Sequence, residues 1–194
     1  MRQTWLITGI SSGFGKALTE QLLAKGDTVI GTVRTEKDDI RALTKQYPDT
    51  LDVYHLDVTN VDEIRQVVNS TVKKHGKIDV LINNAGYGLF GAAEELSDKD
   101  INLILATNLT GSIQMIRAVI PHMRKQGGGR IIQISSYGGQ VAYPGNSLYH
   151  AAKFGIEGFC ESVAQEVVPF NIGVSIIEPG GARTEFRYGS AHIA

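Results

Sequence analysis

The chain has 194 residues, of which 42% are hydrophobic, and its formal net charge is −1 at pH 7. This length predicts one domain over residues 1–194, and the hydrophobic fraction is sufficient for a buried core. The near-neutral charge, without a long run of one sign, excludes an extended basic surface for nucleic acid or for an anionic membrane.

The cysteine content and the N-terminus bear on the cellular compartment. Cys160 is the single cysteine, so an internal disulfide is impossible and a reducing compartment is favoured. We expect it to be a packed thiol in a helix. The sequence begins without a charged leader and cleavage site, and no apolar run approaches the length that spans a membrane. We therefore expect a cytoplasmic protein with no membrane partner.

A strand, a glycine-rich turn, a helix and a second strand open the chain. The apolar run Thr4–Thr8 leads into the turn, Phe14 and Leu22 share the predicted buried face of the helix, and Thr28–Val33 follows. In such a unit glycines permit a sharp turn and close approach to a pyrophosphate, which the helix N-terminus attracts. The alternative is an ordinary glycine-rich turn. The predicted cofactor-binding residues are Gly9, Ser11, Ser12, Gly13, Phe14 and Gly15.

The end of the second strand decides which dinucleotide fits. A carboxylate there would hold a ribose 2′-hydroxyl, as in NAD(H), whereas an arginine accommodates a 2′-phosphate. Val33 offers no carboxylate, and Arg34 offers a fork of donors suited to phosphate. We therefore predict that NADP(H) is the preferred cofactor. NAD(H) is the alternative if Arg34 is only a solvated loop residue.

Two further strand ends supply candidate cofactor contacts. The run Leu51–Leu56 ends in Asp57-Val58, where the carboxylate can accept from an adenine amino group or serve only as a cap or loop residue. The apolar run Val80–Ile82 is typical of a strand buried on both faces, and it ends in Asn83-Asn84-Ala85-Gly86. Small residues there let a cofactor lie against the backbone, and asparagines can tie neighbouring strand ends together.

A long helix is predicted from Ser97 to about Arg124, and its interior contains an unfavourable segment. The sequence Ser97-Asp98-Lys99-Asp100 has the pattern of a capping box. Asn108 lies among threonine and glycine residues, which are poor choices for a helix interior. We expect a kink here that frees a backbone carbonyl to hold a water, because local conflicts of this kind occur at functional sites.

Ser136, Tyr149 and Lys153 form the predicted catalytic centre. A fifth strand, Arg130–Ile134, delivers Ser136 to the carboxyl edge of the sheet. Tyr149 and Lys153 are four residues apart in the next helix, which Ser147 can cap, so their side chains share one face. We expect the ammonium to lower the pKa of Tyr149 toward neutral pH, where a phenol can act as an acid or base. The alternative is a solvated lysine beside a packed tyrosine.

A sixth strand, Gly173–Ile177, completes the pattern of alternating strands and helices. The order βαβαβαβαβαβ predicts one doubly wound parallel sheet of the α/β class. The segments that carry the candidate residues all follow strands, so they should meet at the carboxyl edge of that sheet.

Together these motifs resemble the short-chain dehydrogenase/reductase family in its common single-domain type, over essentially the whole chain. The family patterns appear as T-G-x-x-x-G-x-G at Thr8–Gly15, N-N-A-G at Asn83–Gly86, the mid-helix asparagine at Asn108, Y-x-x-x-K at Tyr149–Lys153, and P-G-x-x-x-T at Pro179, Gly180 and Thr184. Ser136 matches the catalytic serine by its distance from Tyr149. Each motif is weak alone, whereas their order and placement are highly specific.

The resemblance implies a Rossmann-type sheet, strand order 3-2-1-4-5-6, and hydride transfer between nicotinamide and a carbonyl or secondary alcohol, without a metal ion. Tyr149 would exchange a proton with the substrate oxygen, which Ser136 would orient. Lys153 would hold the nicotinamide ribose and lower the pKa of Tyr149. Asn108 would hold a water that links Lys153 to solvent, and Thr184 would contact the nicotinamide carboxamide.

The C-terminus departs from the family pattern. Family members continue past P-G-x-x-x-T with a substrate-covering loop, helices and a final strand, whereas this sequence stops at Ala194. We therefore expect a truncated or naturally short form that lacks the final strand and much of the substrate lid. The alternative function is a dinucleotide-binding module with little turnover. A nucleotide-sugar enzyme is disfavoured, because its glycine motif is spaced differently.

Apolar residues and two long helices bear on the substrate and the assembly. An apolar pocket would suit a lipophilic carbonyl or hydroxyl compound, and ordinary packing is the alternative role of its residues. The family often pairs through two long helices, here 99–124 and 149–167, so the resemblance implies a homo-oligomer, a dimer or tetramer. The candidate pocket residues are Leu89, Phe90, Val141, Tyr143 and Phe186.

Overall fold

The computed structural model describes residues 2–182, Thr184 and residues 192–193. The strands are β1 (Thr4–Thr8), β2 (Thr28–Val33), β3 (Leu51–His55), β4 (Val80–Asn83), β5 (Leu89–Phe90), β6 (Gly129–Ile134), β7 (Ile172–Ile177) and β8 (His192–Ile193). The α-helices are α1 (Gly13–Ala24), α2 (Asp38–Gln46), α3 (Val61–His75), α4 (Asp98–Leu105), α5 (Ser112–Gln126) and α6 (Ser147–Val167).

Within the described residues, six strands form one parallel sheet in the order β3-β2-β1-β4-β6-β7. This confirms the predicted doubly wound sheet and its order 3-2-1-4-5-6, because the short β5 lies outside the sheet and pairs with β8. The chain reverses its direction of winding between β1 and β4. In this class of fold, ligands bind beyond the carboxyl ends of the strands at such a reversal.

Hydrophobic residues on the two faces of the sheet form two cores. On one face Leu6 packs in a cluster with residues of α3, α5 and α6, including Ile116 and Ile156. On the other face Ile7 packs with residues of α1 and α2, including Leu22 and Ile40. Strand β1 therefore has helices on both of its faces, which explains why its sequence is continuously apolar.

One continuous helix runs from Asp98 to Gln126, with a π-helical segment (Ala106–Gly111) between α4 and α5. The predicted capping box is confirmed at its start, because the Ser97 hydroxyl accepts from the Asp100 amide and the Asp100 carboxylate accepts from the Ser97 amide. The distortion expected around Asn108 takes the form of the π-helical segment. Such segments are rare and are frequent at functional sites.

The same helix corrects one sequence expectation. By length and composition alone it is apolar enough to cross a membrane, although no run of that length was expected. Part of this helix lies in the interior of the fold, where Ile104, Met115, Ile116 and Met123 are each 0% exposed, whereas Leu103 is 44% exposed. The apolar composition of the helix is thus accounted for by packing against the sheet and neighbouring helices.

Three local predictions have mixed outcomes. Phe14 is 44% exposed, so it does not share the buried face of α1 as expected. Ser147 is the first residue of α6, whereas Asn146 occupies the N-cap position that Ser147 was expected to fill. The packed thiol is confirmed, because Cys160 is fully buried in α6, and burial together with the charge of Glu157 raises its pKa to about 12.

We predict that Ile116→Ala lowers the free energy of unfolding by about 2–5 kcal/mol, because it removes fully buried methyl and methylene groups and leaves a cavity. Urea unfolding followed by circular dichroism measures the change. Leu103→Ala is the matched control on the same helix; since Leu103 is 44% exposed, it should cost less than about 1 kcal/mol. Equal losses from the two variants would contradict the assignment of Ile116 to the core.

Candidate active site

The sequence-predicted site residues follow strands of the parallel sheet or lie on helices that pass the same edge. The segments after β1, β2, β3, β4, β6 and β7 contain, in that order, Gly9–Gly15, Arg34, Asp57-Val58, Ala85-Gly86, Ser136 and the group Pro179, Gly180 and Thr184. Asn83 is the last residue of β4. Asn108 comes from the π-helical segment, and Tyr149 and Lys153 come from α6.

Hydrogen bonds fasten the carboxyl ends of β1 and β4 to each other. The Asn84 side-chain amide donates to the carbonyls of Thr8 (3.0 Å) and Gly9 (2.9 Å). The Thr8 hydroxyl oxygen accepts from the backbone amides of Asn84 and Ala85, each at 3.0 Å. The predicted tie between strand ends is therefore confirmed for Asn84. Asn83 points elsewhere, since its buried amide donates to the Ser112 carbonyl at 3.0 Å.

The backbone shape of the glycine turn depends on its glycines. Gly9 and Gly13 have φ values of +74° and +56°, which residues other than glycine rarely adopt. A Cβ at Gly15 would lie 2.3 Å from the Gly9 carbonyl oxygen, so only glycine allows this packing. Thr184 lies against the turn, because a Cβ at Gly13 would be 3.5 Å from the Thr184 Cβ. The turn leads directly into the N-terminus of α1, where backbone N–H groups favour phosphate.

Arg34 and Asp57 lie near each other after β2 and β3. Arg34 is exposed, and its positive charge acts on the Asp57 carboxylate. Burial raises the pKa of Asp57, but hydrogen bonds from the Thr59 amide (2.9 Å) and hydroxyl (2.8 Å), together with Arg34, hold it below its ordinary value. One carboxylate oxygen is therefore occupied by Thr59. Asn60, not Asp57, caps the following helix α3.

Ser136 and Tyr149 are brought together at the end of β6. Both residues are buried, with Ser136 7% and Tyr149 9% exposed, and the Ser136 oxygen accepts from the Gly138 amide at 3.1 Å. Burial raises the pKa of Tyr149 above the ordinary value, the nearby Ser136 hydroxyl opposes that rise, and the phenol of Tyr137 adds to it.

Lys153 is buried one helical turn after Tyr149. Its ammonium donates to the Ile134 carbonyl at 3.0 Å and lies 5.6 Å from the centre of the Tyr149 ring. Burial lowers the pKa of Lys153 to about 8, and the negative charge of Glu157 opposes this shift. The pKa of Tyr149 is therefore raised, and not lowered toward neutral pH as expected, because burial of the phenol dominates.

Asn108 uses both ends of its side-chain amide to hold the backbone of Tyr87. Its nitrogen donates to the Tyr87 carbonyl at 2.7 Å, and its oxygen accepts from the Tyr87 amide at 3.1 Å. Gly86 permits this approach, because a Cβ there would be 3.2 Å from the same oxygen. The side chain thus fastens the segment after β4 to the long helix. A water-holding role of the Asn108 main chain stays a prediction.

Two side chains of α6 that the sequence reading did not single out contact the segment that carries Ser136. We call residues 135–140 the serine turn. Glu157 is 4% exposed, and its carboxylate accepts hydrogen bonds from the side chains of Ser135 and Gln140. His150 is 6% exposed and bonds to the Gly138 carbonyl. The spacing of four residues from Lys153 to Glu157 is a signal that could have identified the glutamate.

The candidate substrate residues divide into buried and exposed groups. Leu89 is 3% exposed and packs with Tyr149, so its main role is in the core. Val141 and Tyr143 are 41% and 52% exposed, next to the equally exposed Tyr137. Phe186 lies outside the described residues. In the part of the chain that the structure describes, no group of three His, Cys, Asp or Glu side chains could hold a metal ion.

Comparison with known proteins identifies the family to which this site belongs. The sequence model of the family described as short chain dehydrogenase matches residues 3–192. The chain belongs to this family. The expected family membership is therefore confirmed, and with it the placement among nicotinamide-dependent oxidoreductases.

Curated relatives and solved structures agree with this assignment. The oxidoreductase BOA17 of Botryotinia fuckeliana is 39% identical over all of this chain and 70% of its own length. The 3-ketodihydrosphingosine reductase of Bacteroides thetaiotaomicron is 41% identical over 95% of this chain, which spans 65% of that relative.

Among solved structures, a short-chain dehydrogenase from Streptomyces avermitilis superposes with a TM-score of 0.93 and 41% identity, over 100% of this chain and 71% of its own. The structure of ElxO with NADP bound superposes with a TM-score of 0.89 and 32% identity, over 95% of this chain and 76% of its own.

We predict that the Tyr149 phenol ionises above pH ~10, the ordinary value for tyrosine, because burial disfavours the phenolate. The measurement is an ultraviolet titration of phenolate absorbance, in which the Tyr149→Phe curve is subtracted from that of the wild type. Tyr54→Phe, which removes a tyrosine of β3, shows that a single phenol can be resolved. A Tyr149 phenolate signal at neutral pH would contradict the prediction and restore the expectation drawn from the sequence.

Proposed function

We propose that this protein is an NADPH-dependent reductase or dehydrogenase that transfers hydride between nicotinamide and a carbonyl or secondary alcohol, with Tyr149 as the acid and base. The single observation that carries the proposal is that Ser136, Tyr149 and Lys153 are all buried at this edge, with the Lys153 ammonium 5.6 Å from the centre of the Tyr149 ring and the Ser136 hydroxyl close enough to lower the pKa of Tyr149. This arrangement supplies two hydroxyl donors and a fixed positive charge at the ligand-binding edge of the sheet.

The raised pKa of Tyr149 fits proton donation to a carbonyl oxygen. A phenol that keeps its proton in the resting site can release it when negative charge develops on the substrate oxygen. Ser136 orients that oxygen by donating a hydrogen bond, which strengthens as the charge grows. Lys153, with a pKa of about 8, is protonated at neutral pH and favours the phenolate that remains after the transfer.

The residues of the cofactor side fit a nicotinamide dinucleotide. Bound in this edge, such a cofactor supplies the hydride. Gly9, Gly13 and Gly15 give the turn its backbone shape, and glycine permits close approach of the backbone to a pyrophosphate. Arg34 is exposed after β2, where a guanidinium suits a 2′-phosphate. The similarity to ElxO, whose structure contains NADP, supports this preference.

We further propose that the substrate is a lipophilic carbonyl compound. Tyr137, Val141 and Tyr143 expose apolar surface next to Ser136, and the rings of the two tyrosines are 5.9 Å apart. The relative named 3-ketodihydrosphingosine reductase supports a ketone that carries a long apolar chain. Homo-oligomer formation through the long helices is proposed with it, because Leu103 and Phe154 are exposed there. Cytoplasmic localisation stays a prediction.

We predict that the protein oxidises NADPH in the presence of ketones or aldehydes, and that Tyr149→Phe lowers the rate at least ~100-fold, because it removes the proton donor. The measurement is the loss of NADPH absorbance over a panel of short-chain and long-chain carbonyl compounds. NADPH fluorescence titration provides the control, since the variant should retain the cofactor affinity of the wild type. A Tyr149→Phe variant as active as the wild type would contradict the proposed mechanism.

The same measurements distinguish the proposed reductase from the alternative, a dinucleotide-binding module with little turnover. Tight NADPH binding without turnover of any carbonyl compound would identify a dinucleotide-binding module. Failure to bind any nicotinamide dinucleotide would contradict both functions, and with them the assignment of the glycine turn to cofactor binding.

We predict that Arg34→Ala weakens NADPH binding by about 10–100-fold and leaves NADH binding unchanged, because only NADPH carries the 2′-phosphate that a guanidinium would bind. Fluorescence titrations with both cofactors measure the dissociation constants. Arg65→Ala is the control, since it removes an exposed arginine of α3 that pairs with Asp62. Equal affinities of the wild type for NADPH and NADH would rule out the preference.

A further inference from the structure

The serine turn is fastened to helix α6 by a buried carboxylate. One oxygen of Glu157 accepts from the Ser135 hydroxyl, and the other accepts from the Gln140 side-chain amide. Ser135 precedes Ser136, and Gln140 closes the turn, so the two hydrogen bonds hold both ends of the segment that carries the reacting serine. The burial of Glu157 makes these bonds strongly stabilising, because a buried carboxylate without donors is costly.

A second side chain of α6 holds the middle of the turn. The His150 Nε2 accepts a hydrogen bond from the Tyr143 amide at 3.0 Å, so a neutral ring carries its proton on Nδ1. That nitrogen lies 2.7 Å from the Gly138 carbonyl, to which it donates. One imidazole therefore joins the serine turn to the segment that exposes Tyr143 beside the proposed substrate site.

Two glycines bring the serine turn into direct contact with these side chains. A Cβ at Gly139 would lie 1.8 Å from a Glu157 carboxylate oxygen, and a Cβ at Gly138 would lie 2.9 Å from His150 Nδ1. Neither position can carry a side chain without displacing the turn or the helix residue. The Gly-Gly pair after Tyr137 is thus explained by the close approach of the turn to α6.

We propose that Glu157 and His150 are positioning residues that hold the serine turn in the register at which the Ser136 hydroxyl meets Tyr149. The inference rests on the proposed function, because it concerns the geometry of the same reaction. Both residues lie on α6, the helix that carries Tyr149 and Lys153. The same helix therefore positions Tyr149 directly and Ser136 through the serine turn. Neither is proposed to touch the substrate.

Glu157 has an electrostatic effect that is consistent with this role. Its neighbours on α6 are Lys153 and Cys160, and its neighbours in the serine turn are Ser135 and Gln140. Gln140 also bonds Glu178, which follows β7. Its negative charge favours the protonated form of Lys153. Removing the carboxylate should therefore shift the loss of activity at alkaline pH toward lower pH, which loss of packing alone would not do.

The test compares Glu157→Ala, Glu157→Gln and Glu161→Gln. Glu157→Ala should lower kcat for carbonyl reduction by about 10–100-fold while the NADPH dissociation constant stays within about twofold, because the loss of hydrogen bonds displaces Ser136 and not the glycine turn. Glu157→Gln should recover most of kcat, since an amide can still bond Ser135 and Gln140, but should keep the alkaline shift. Glu161→Gln makes the same charge change on the exposed face of α6 and should match the wild type.

Amide hydrogen exchange gives a readout that does not need turnover. In Glu157→Ala, amide exchange should become faster in residues 135–146 and stay unchanged in the glycine turn at residues 9–15.

The outcomes for the proposed function and for the positioning contacts can be separated. If the wild type binds NADPH but reduces no carbonyl compound, the proposed function fails, whereas the amide exchange rates still test the contacts of Glu157. Unchanged exchange in 135–146, or a Glu157→Ala kcat equal to that of the wild type, would overturn the inference. Ser135→Ala, which removes one of the bonds without a charge change, serves if Glu157→Ala does not fold.

A double-mutant cycle tests the contact itself. Gly139→Ala should lower kcat by displacing the turn from Glu157, and it should have little further effect in the Glu157→Ala background, where the side chain that it would meet is gone. Additive effects of the two changes would show that Gly139 and Glu157 act separately and would contradict the proposed fastening of the turn.

Discussion

The buried ammonium of Lys153 is the charge that the surrounding structure has to accommodate. Its hydrogen bond to the Ile134 carbonyl and the field of Glu157 favour the charged form, whereas burial lowers its pKa to about 8. An unpaired buried charge is costly, so a buried carboxylate nearby is stabilising only if its own oxygens are hydrogen-bonded. Ser135 and Gln140 supply those donors. The charge of Lys153 thus favours a buried Glu157 carboxylate, and the hydrogen bonds of that carboxylate hold the backbone that carries Ser136.

The long helix imposes a second constraint at the same edge of the sheet. It passes so close to the end of β3 that a Cβ at Gly111 would lie 2.6 Å from the Val58 carbonyl oxygen. Gly111 ends the π-helical segment, and Asn108 within the same segment bonds the Tyr87 backbone after β4. Glycine and asparagine are poor helix formers, but here one provides space and the other provides hydrogen bonds. The unfavourable local sequence is therefore explained by contacts with two neighbouring segments.

Local patterns in the sequence predicted the doubly wound parallel sheet and the grouping of Ser136, Tyr149 and Lys153, because apolar runs, glycine turns and helical spacing depend on near neighbours in the chain. The strand order was predicted from the family resemblance. The predicted direction of the Tyr149 pKa shift was wrong, because the shift depends mainly on tertiary burial, which residue spacing in a helix does not reveal. The partners of Glu157 were missed for a similar reason: Ser135 is 22 residues away in sequence. Phe14 was wrongly placed in the core because helical periodicity shows which residues share a face, and not whether that end of the face is covered.

The raised pKa of Tyr149 bears on the direction in which this residue exchanges a proton. If Tyr149 were a phenolate at rest, it would be suited to taking a proton from an alcohol. Because burial raises the pKa of Tyr149, the proposed role as a proton donor to a carbonyl oxygen fits the resting site better. The charge that then remains on the phenol would be stabilised by the Ser136 hydroxyl and the Lys153 ammonium, neither of which needs to move far from α6 or the serine turn. Pre-arranged donors of this kind lower the energy of the charged state more than that of the neutral one, which is the condition for accelerating proton transfer.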